Sequence, residues 1–226
     1  MIKVSSAITI ERLLHKGAEA SLFIGHWFGK TVIFKHRVPK NYRLEELDRR
    51  IRTERTLKEG KALIKVKNYG LSVPQIYEID AQNSILIMKY IEGTKLKNIL
   101  SGLGENKKNK YFKKIGRDIA VLHKNGHIHG DITTSNLIIT NDEEVFLIDF
   151  GLHEYSDTIE DKSVDLHLFK RVLISTHGDD FEFCFNSFLE GYRSEYKSEN
   201  KTDCDHIIKK INAIESRGRY VKPEDR

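Results

Sequence analysis

The residues best suited to chemistry cluster in the middle of the chain. His129-Gly130-Asp131-Ile132-Thr133-Thr134-Ser135-Asn136 is followed, thirteen residues after Asn136, by Asp149-Phe150-Gly151. Two carboxylates and a carboxamide are oxygen donors, the kind that the hard cation Mg2+ takes. An Asp, an Asn five residues later, and a second Asp beyond a compact hairpin form the pattern that phosphoryl transfer uses. The first Asp acts as base or orients the attacking hydroxyl, while the other two side chains hold the cation that bridges the phosphates. Asp131 is thereby a candidate catalytic residue, with Lys35 upstream as the other, and Asn136 and Asp149 are the candidate metal ligands. For the two ligands to converge, the intervening chain must fold back. Leu137–Thr140 and Glu144–Ile148 read as the strands of that hairpin, with Asn141-Asp142 as its turn.

Phosphoryl transfer also needs a cation on the nucleotide phosphates and a loop whose amides face them. Lys35 ends the β-branched and aromatic run Thr31-Val32-Ile33-Phe34-Lys35, which reads as a strand. Its expected partner is a glutamate on the following helix. Glu54 and Glu59 both qualify, and periodicity does not choose between them. Gly17-Ala18-Glu19-Ala20 lies where a glycine-rich phosphate loop would sit, yet it carries a single glycine. Amides near Ala18–Ser21 are the candidate phosphate donors, beside the plainer reading of a hairpin turn. Met88, Lys89 and Ile91 close the last strand of this region. Met88 is the candidate back wall of an adenine pocket, and the neighbouring backbone is the candidate adenine contact.

Around these residues the chain reads as a strand-rich part followed by a helical part, with the boundary near Gly93. Leu44 to about Lys65 is expected to be a helix, with Gly60 weakening its last turn. Pro74 precedes a short strand near Ile76–Ile79, and Ser84–Ile91 is a second strong strand. Tyr111, Ile115, Ile119 and Leu122 recur at helical spacing and end at Asn125-Gly126. Ser163–Thr176, Asp180–Arg193 and Cys204–Ile214 are expected to be further helices. The 226 residues carry 38 Lys+Arg and 33 Asp+Glu, a formal charge of +5. With a mean hydropathy of -0.48, this is the composition of a globular protein, neither disordered nor collagen-like. No apolar run nears the roughly 20 residues that span a bilayer. No signal peptide is read at the N-terminus. Cys184 and Cys204 make neither a disulfide framework nor a metal site. A reducing, cytoplasmic setting is the expectation, with no membrane.

Taken together, Lys16-Gly17-Ala18-Glu19-Ala20, Lys35-His36-Arg37, Arg55-Thr56-Leu57-Lys58-Glu59, Met88–Gly93, the His129–Asn136 loop and Asp149-Phe150-Gly151-Leu152 make the chain resemble the small kinase-like ATPase subunit of the KEOPS complex, a protein-kinase-superfamily member close to RIO-type atypical kinases. The resemblance runs from about residue 8 to the C-terminus. It implies an α+β, bilobal protein-kinase-like fold: an N-terminal antiparallel sheet plus one helix, and a reduced, mainly helical C-terminal lobe with a very short activation segment. The lobes are expected at 1–92 and 93–214, with a basic tail at 215–226. The resemblance also selects Glu59 as the partner of Lys35. It implies ATP and Mg2+ as cofactors, and Ser/Thr kinase or ATPase activity in support of threonylcarbamoyladenosine formation on tRNA. The implied partners are the KEOPS catalytic (threonylcarbamoyl-transferase) subunit and a small subunit on the N-terminal lobe.

Departures from ordinary protein kinases are visible too. Thr133 stands where such kinases carry Lys beside the transferred phosphoryl group. Only thirteen residues separate Gly151 from Asp165, and no Ala-Pro-Glu stretch occurs there. Hydrolysis, or phosphorylation of a bound partner, is therefore expected over activity on free proteins. By analogy with the superfamily, Asp165 is expected to anchor the catalytic loop, and His129 to brace it. Residues 209–226 hold six basic and three acidic side chains, among them Arg217-Gly218-Arg219-Tyr220, so the tail is a candidate tRNA contact. Arg49, Arg50, Arg52 and Arg55 read as a solvated helix face, Phe181–Phe185 as helix core, and His123, His127 and His153 as structural or solvated. A small-molecule phosphotransferase and a partner-docking pseudokinase scaffold are the competing readings. The short chain after Gly151 counts against the first, and the presence of Lys35, Asp131 and Asp149 against the second.

Overall fold

The computed structural model describes residues 7–196 and 201–217. The chain divides into two compact units, one comprising residues up to Glu92 together with Phe146–Gly151, the other Gly93–Val145 and the chain from Leu152 onward. The first unit thus takes in residues 146–151 in addition to the stretch expected from the sequence, and Asp149 belongs to it.

The first unit is built on a five-stranded antiparallel sheet ordered β1-β2-β3-β5-β4. Its strands are β1 (Ile8–Lys16), β2 (Ser21–Trp27), β3 (Lys30–His36), β4 (Ile76–Asp80) and β5 (Ile85–Lys89). Side chains alternate across a strand. Val32 and Phe34 therefore share one face, where they pack with Ile87 against Phe23, Trp27 and Tyr77. Lys35 turns to the other face, toward α1 (Glu45–Lys67). This helix places Glu45, Glu46 and Asp48 in its first turn and Lys65 and Lys67 in its last, each sign favoured by the helix dipole. It runs through Gly60 without a break. A Cβ there would lie 2.5 Å from Ile79 Cδ1, so the glycine lets the helix settle onto β4 and β5. Leu147 N–H donates to the Ser72 carbonyl at 2.9 Å, which ties the segment ending in Asp149 to this unit.

The second unit is mainly helical. It contains β6 (Thr94–Lys95), the short helix α2 (Leu96–Ile99) and a 3-10 turn at Leu100–Gly102, followed by α3 (Glu105–Lys124) and β7 (His127–Ile128). A second 3-10 turn at Thr134–Asn136 leads into β8 (Leu137–Ile139). The return strand β9 (Val145–Leu147) begins here and leaves for the first unit. The hairpin turn is closed by a hydrogen bond from Thr140 N–H to the Glu144 carbonyl at 3.0 Å, and Glu143 adopts a positive φ within it. Then come β10 (Glu154–Tyr155), α4 (Ile159–Thr176), α5 (Phe181–Ser194) and α6 (Lys201–Arg217).

Helices α3 and α5 meet at two glycines. A Cβ on Gly116 would sit 2.0 Å from the Phe188 carbonyl oxygen, and one on Gly191 2.0 Å from that of Lys113. Phe112, Ile115, Ile119, Leu122, Phe169, Phe188 and Tyr192 fill the core. Helix α4 starts at Ile159 rather than Ser163, because the Thr158 hydroxyl accepts the Asp161 N–H at 3.1 Å and caps the first turn. The Phe181–Phe185 run is only partly core: Cys184 and Phe185 are buried, whereas Phe183 faces outward, as a helical period demands.

Candidate functional site

In the first unit, α1 presents Glu59 to β3. Glu59 Oε1 accepts from Lys35 Nζ at 2.7 Å, and its Oε2 accepts from Arg37 Nη2 at 2.6 Å. Lys35 Nζ also donates to Asp149 Oδ1 at 2.7 Å. Lys35, Arg37 and Glu59 are all buried, at 6%, 2% and 1% exposure. Two cations thus face two carboxylates. Burial alone would lower the Lys35 pKa, but Glu59 and then Asp149 outweigh it and hold the ammonium above its ordinary value. Glu54 instead lies on the exposed face, 3.6 Å from Arg50. Asp149 has φ +63, a conformation that costs a non-glycine residue about 1–3 kcal/mol and tends to persist at functional sites. Gly151 N–H donates back to Asp149 Oδ1 at 3.1 Å.

The loop Gly17–Ala20 is a tight turn, closed by Gly17 N–H donating to the Ala20 carbonyl at 2.9 Å. Ala18 and Glu19 are exposed at its tip, and Glu19 pairs with Arg55 of α1. Met88 and Ile91 are buried. Lys89 N–H is taken by the Gln75 carbonyl at 2.8 Å, so its amide hydrogen is already used within the sheet. The helix face read as solvated is so at Arg49 and Arg50, and Arg55 makes an exposed pair with Glu19. Arg52 is largely buried and donates to Asp48 Oδ2 at 2.6 Å.

In the second unit the loop between β7 and β8 brings Asp131 and Asn136 together. Asn136 Nδ2 donates to Asp131 Oδ2 at 2.9 Å and to the Asp131 carbonyl at 3.0 Å. The amide nitrogen is occupied, so Oδ1 is the Asn136 atom suited to a cation. His129 Nδ1 accepts the Asp131 N–H at 3.2 Å. Asp165, buried on α4, accepts the N–H groups of His129 and Gly130 at 3.0 and 2.9 Å. It also lies 3.2 Å from His123 Nε2. Burial opposes its ionisation, but the His123 hydrogen bond, the imidazoles of His123 and His129 and the His129 N–H outweigh that and hold the carboxyl below its usual range. Behind it, His123 Nδ1 meets the Tyr192 hydroxyl at 2.9 Å, which meets that of Tyr196 at 3.0 Å.

Gly130 has φ +80, and a Cβ there would sit 2.5 Å from the Leu152 carbonyl oxygen. The short segment after Gly151 is pinned at β10, which pairs with β7 through Glu154–Ile128 and Tyr155–His127. This two-residue ladder has no periodicity to announce it. Nor does any local signal place Tyr192 behind His123, 69 positions apart. His123, His127 and His153 are all buried, and His127 Nδ1 lies 2.9 Å from His153 Nε2, so the solvated alternative falls. Among the described residues no three His, Cys, Asp or Glu side chains cluster as a metal site. Mg2+ binding through one or two carboxylates and substrate phosphates does not require such a cluster. No described helix is long and apolar enough to cross a membrane.

Residues 32–158 match the RIO domain. The chain is 42% identical over 215 residues to KEOPS complex subunit Bud32 of Pyrococcus abyssi, covering 92% of this chain and 96% of that protein. It is 41% identical over 211 residues to a probable bifunctional tRNA threonylcarbamoyladenosine biosynthesis protein of Methanosphaera stadtmanae, and 42% identical over 211 residues to one of Methanobrevibacter smithii. Each of these matches covers 93% of this chain but only 37% of the longer relative. With the RIO match spanning more than half of the sequence and the Bud32 match nearly all of it, the chain belongs to the RIO-domain family, in the branch of the kinase-like KEOPS subunit.

Proposed function

We infer that the protein is an ATP-dependent phosphotransferase or ATPase that serves threonylcarbamoyladenosine modification of tRNA. The observation that carries this reading is the buried Lys35, held between Glu59 and Asp149. A desolvated ammonium whose charge is fixed by one buried carboxylate suits the phosphates of ATP, and the strained Asp149 offers an oxygen donor to Mg2+. Met88 and Ile91, with the Lys89 carbonyl, are the candidate adenine contacts, and the amides near Ala18–Ser21 are candidate phosphate donors. Mg2+, when bound, would supply charge neutralisation of the phosphates.

In the second unit, Asn136 Oδ1 is the other candidate oxygen ligand. Asp131 is the residue to orient or deprotonate the acceptor, and one hydrogen bond from Asn136 Nδ2 orients its carboxylate. Thr133 brings no positive charge to the transferred group, and the segment from Leu152 to Val164 is short and partly locked into β10. Both features favour water or a bound partner over a free peptide as acceptor. A cytoplasmic KEOPS assembly is the proposed setting, with the threonylcarbamoyl-transferase subunit as partner and tRNA as the modified molecule. The exposed Ile10, Leu13 and Leu14 on the edge strand β1 support a small subunit docked on the first unit.

The test is phosphate release from ATP and Mg2+, with and without the transferase subunit and tRNA. Partner-stimulated turnover that drops at least a hundredfold in both Asp131→Asn and Asp149→Ala is expected. Absence of turnover in every mixture, with partner binding intact, would favour the scaffold reading.

A further inference from the structure

A second cationic cluster lies on the first unit, and the functional reading above does not use it. Arg37, Lys40, Arg43, Arg52 and Arg55 line a cavity of about 130 Å3, with Glu19 as the sole acid in its wall. Asp48 takes Arg43 at 3.4 Å and Arg52 at 2.6 Å, Glu59 takes one nitrogen of Arg37, and Glu19 takes Arg55. Four of the five cations are therefore shared among three carboxylates, and Glu59 is also shared with Lys35. Lys40 takes part in none of these pairs. A second observation points the same way: Arg37 is 2% exposed, and its Nε has no hydrogen-bond partner among the described residues. A buried guanidinium donor left unpaired is costly, and the side chain that carries it lines this cavity.

We propose that this cavity is a binding site for one phosphoryl group, as orthophosphate or as a phosphate monoester. Converging guanidinium groups recognise tetrahedral oxyanions through paired N–H donors, and arginine predominates here over lysine, as that geometry favours. The volume suits a small anion and is well below the roughly 300–1,000 Å3 of a nucleoside- or drug-sized pocket. The wall includes Ala18 and Glu19 of the β1–β2 turn. An anion that competes with Glu19 for Arg55 releases the tip of that turn, while Arg37 connects the same anion to Glu59. The assignment does not depend on the nucleotide reading, and it is tested without ATP.

The experiment follows thermal unfolding and 31P line width of the full chain during titration with orthophosphate and with phenyl phosphate, against sodium chloride of equal ionic strength. Saturable stabilisation by the phosphates and none by chloride is expected, with half-saturation raised at least threefold in Lys40→Ala and tenfold in Lys40→Ala/Arg43→Ala. Lys40→Arg retains binding, and circular dichroism checks that each variant is folded. Tighter orthophosphate binding identifies the free ion as occupant, and tighter phenyl phosphate binding a monoester. A response that chloride reproduces, that fails to saturate, or that is unchanged in Lys40→Ala would overturn the site. The last of these is also the result expected if phosphate bound only at Lys35.

Discussion

Glu59 and Glu54 sit five positions apart on one helix, and their energetics diverge completely. Glu59 holds two buried cations, whereas Glu54 makes an exposed pair of the kind worth at most about 1 kcal/mol. Removing one partner from a buried ion pair costs about 3–5 kcal/mol, because the remaining charge is stranded. Glu59→Ala is therefore expected to lower stability by about that amount in urea unfolding, and Glu54→Ala by less than about 0.5 kcal/mol. Equal effects would contradict the buried pairing. Asp165 adds a pH signature. Its folded pKa is depressed, so its stabilising contribution is present above the unfolded-state value of about 3.9 and is lost as pH falls through the lower, folded value. Asp165→Asn is expected to cost about 1–3 kcal/mol at pH 7, with the gap to wild type closing below about pH 4. A gap independent of pH would show that the carboxylate charge contributes nothing.

At the scale of elements, two features hold the loop that carries Asp131 and Asn136: the ladder between β7 and β10, and the helix α4 that carries Asp165. Their precision depends on how tightly the helical unit packs. Helices α3 and α5 approach closely enough that Gly116 faces backbone with no room for a methyl group. Gly116→Ala is expected to destabilise by about 1–3 kcal/mol through overpacking, despite the better intrinsic helix propensity of alanine. Gly102→Ala, with open space around its Cβ position, should change stability by no more than about 0.5 kcal/mol. Thermal unfolding of the two variants side by side decides the matter, and a stabilised Gly116→Ala would mean that the helices are not in close contact.

Across the whole molecule, the +5 charge is unevenly spread, with +3 of it in residues 209–226. Residues 218–226 lie outside the described structure, so Arg219, Tyr220, Lys222 and Arg226 enter only through their chemistry. Truncation after Ile214 is expected to weaken tRNA binding and to reduce the slope of log affinity against log salt by about one unit per lost phosphate contact. An unchanged slope in a filter-binding titration would remove the tail from the interface. What the sequence determined alone was local in origin. The strand at Lys35, the helix at Glu59, the hairpin after Asn136 and the helix from Tyr111 to Leu122 were all legible, because periodicity and turn residues act over a few positions. The order of Asp131, Asn136 and Asp149 was legible for the same reason. Tertiary structure alone decided which face of α1 is buried, and with it the separation of Glu59 from Glu54 by physical contact. It also decided that Arg52 turns inward to Asp48 and that Tyr192 stands behind His123. It decided as well that residues 146–151 join the first unit. Each of these depends on groups far apart in the chain meeting in a desolvated place, where a hydrogen bond or an ion pair must be completed, and no local pattern of residues records that requirement.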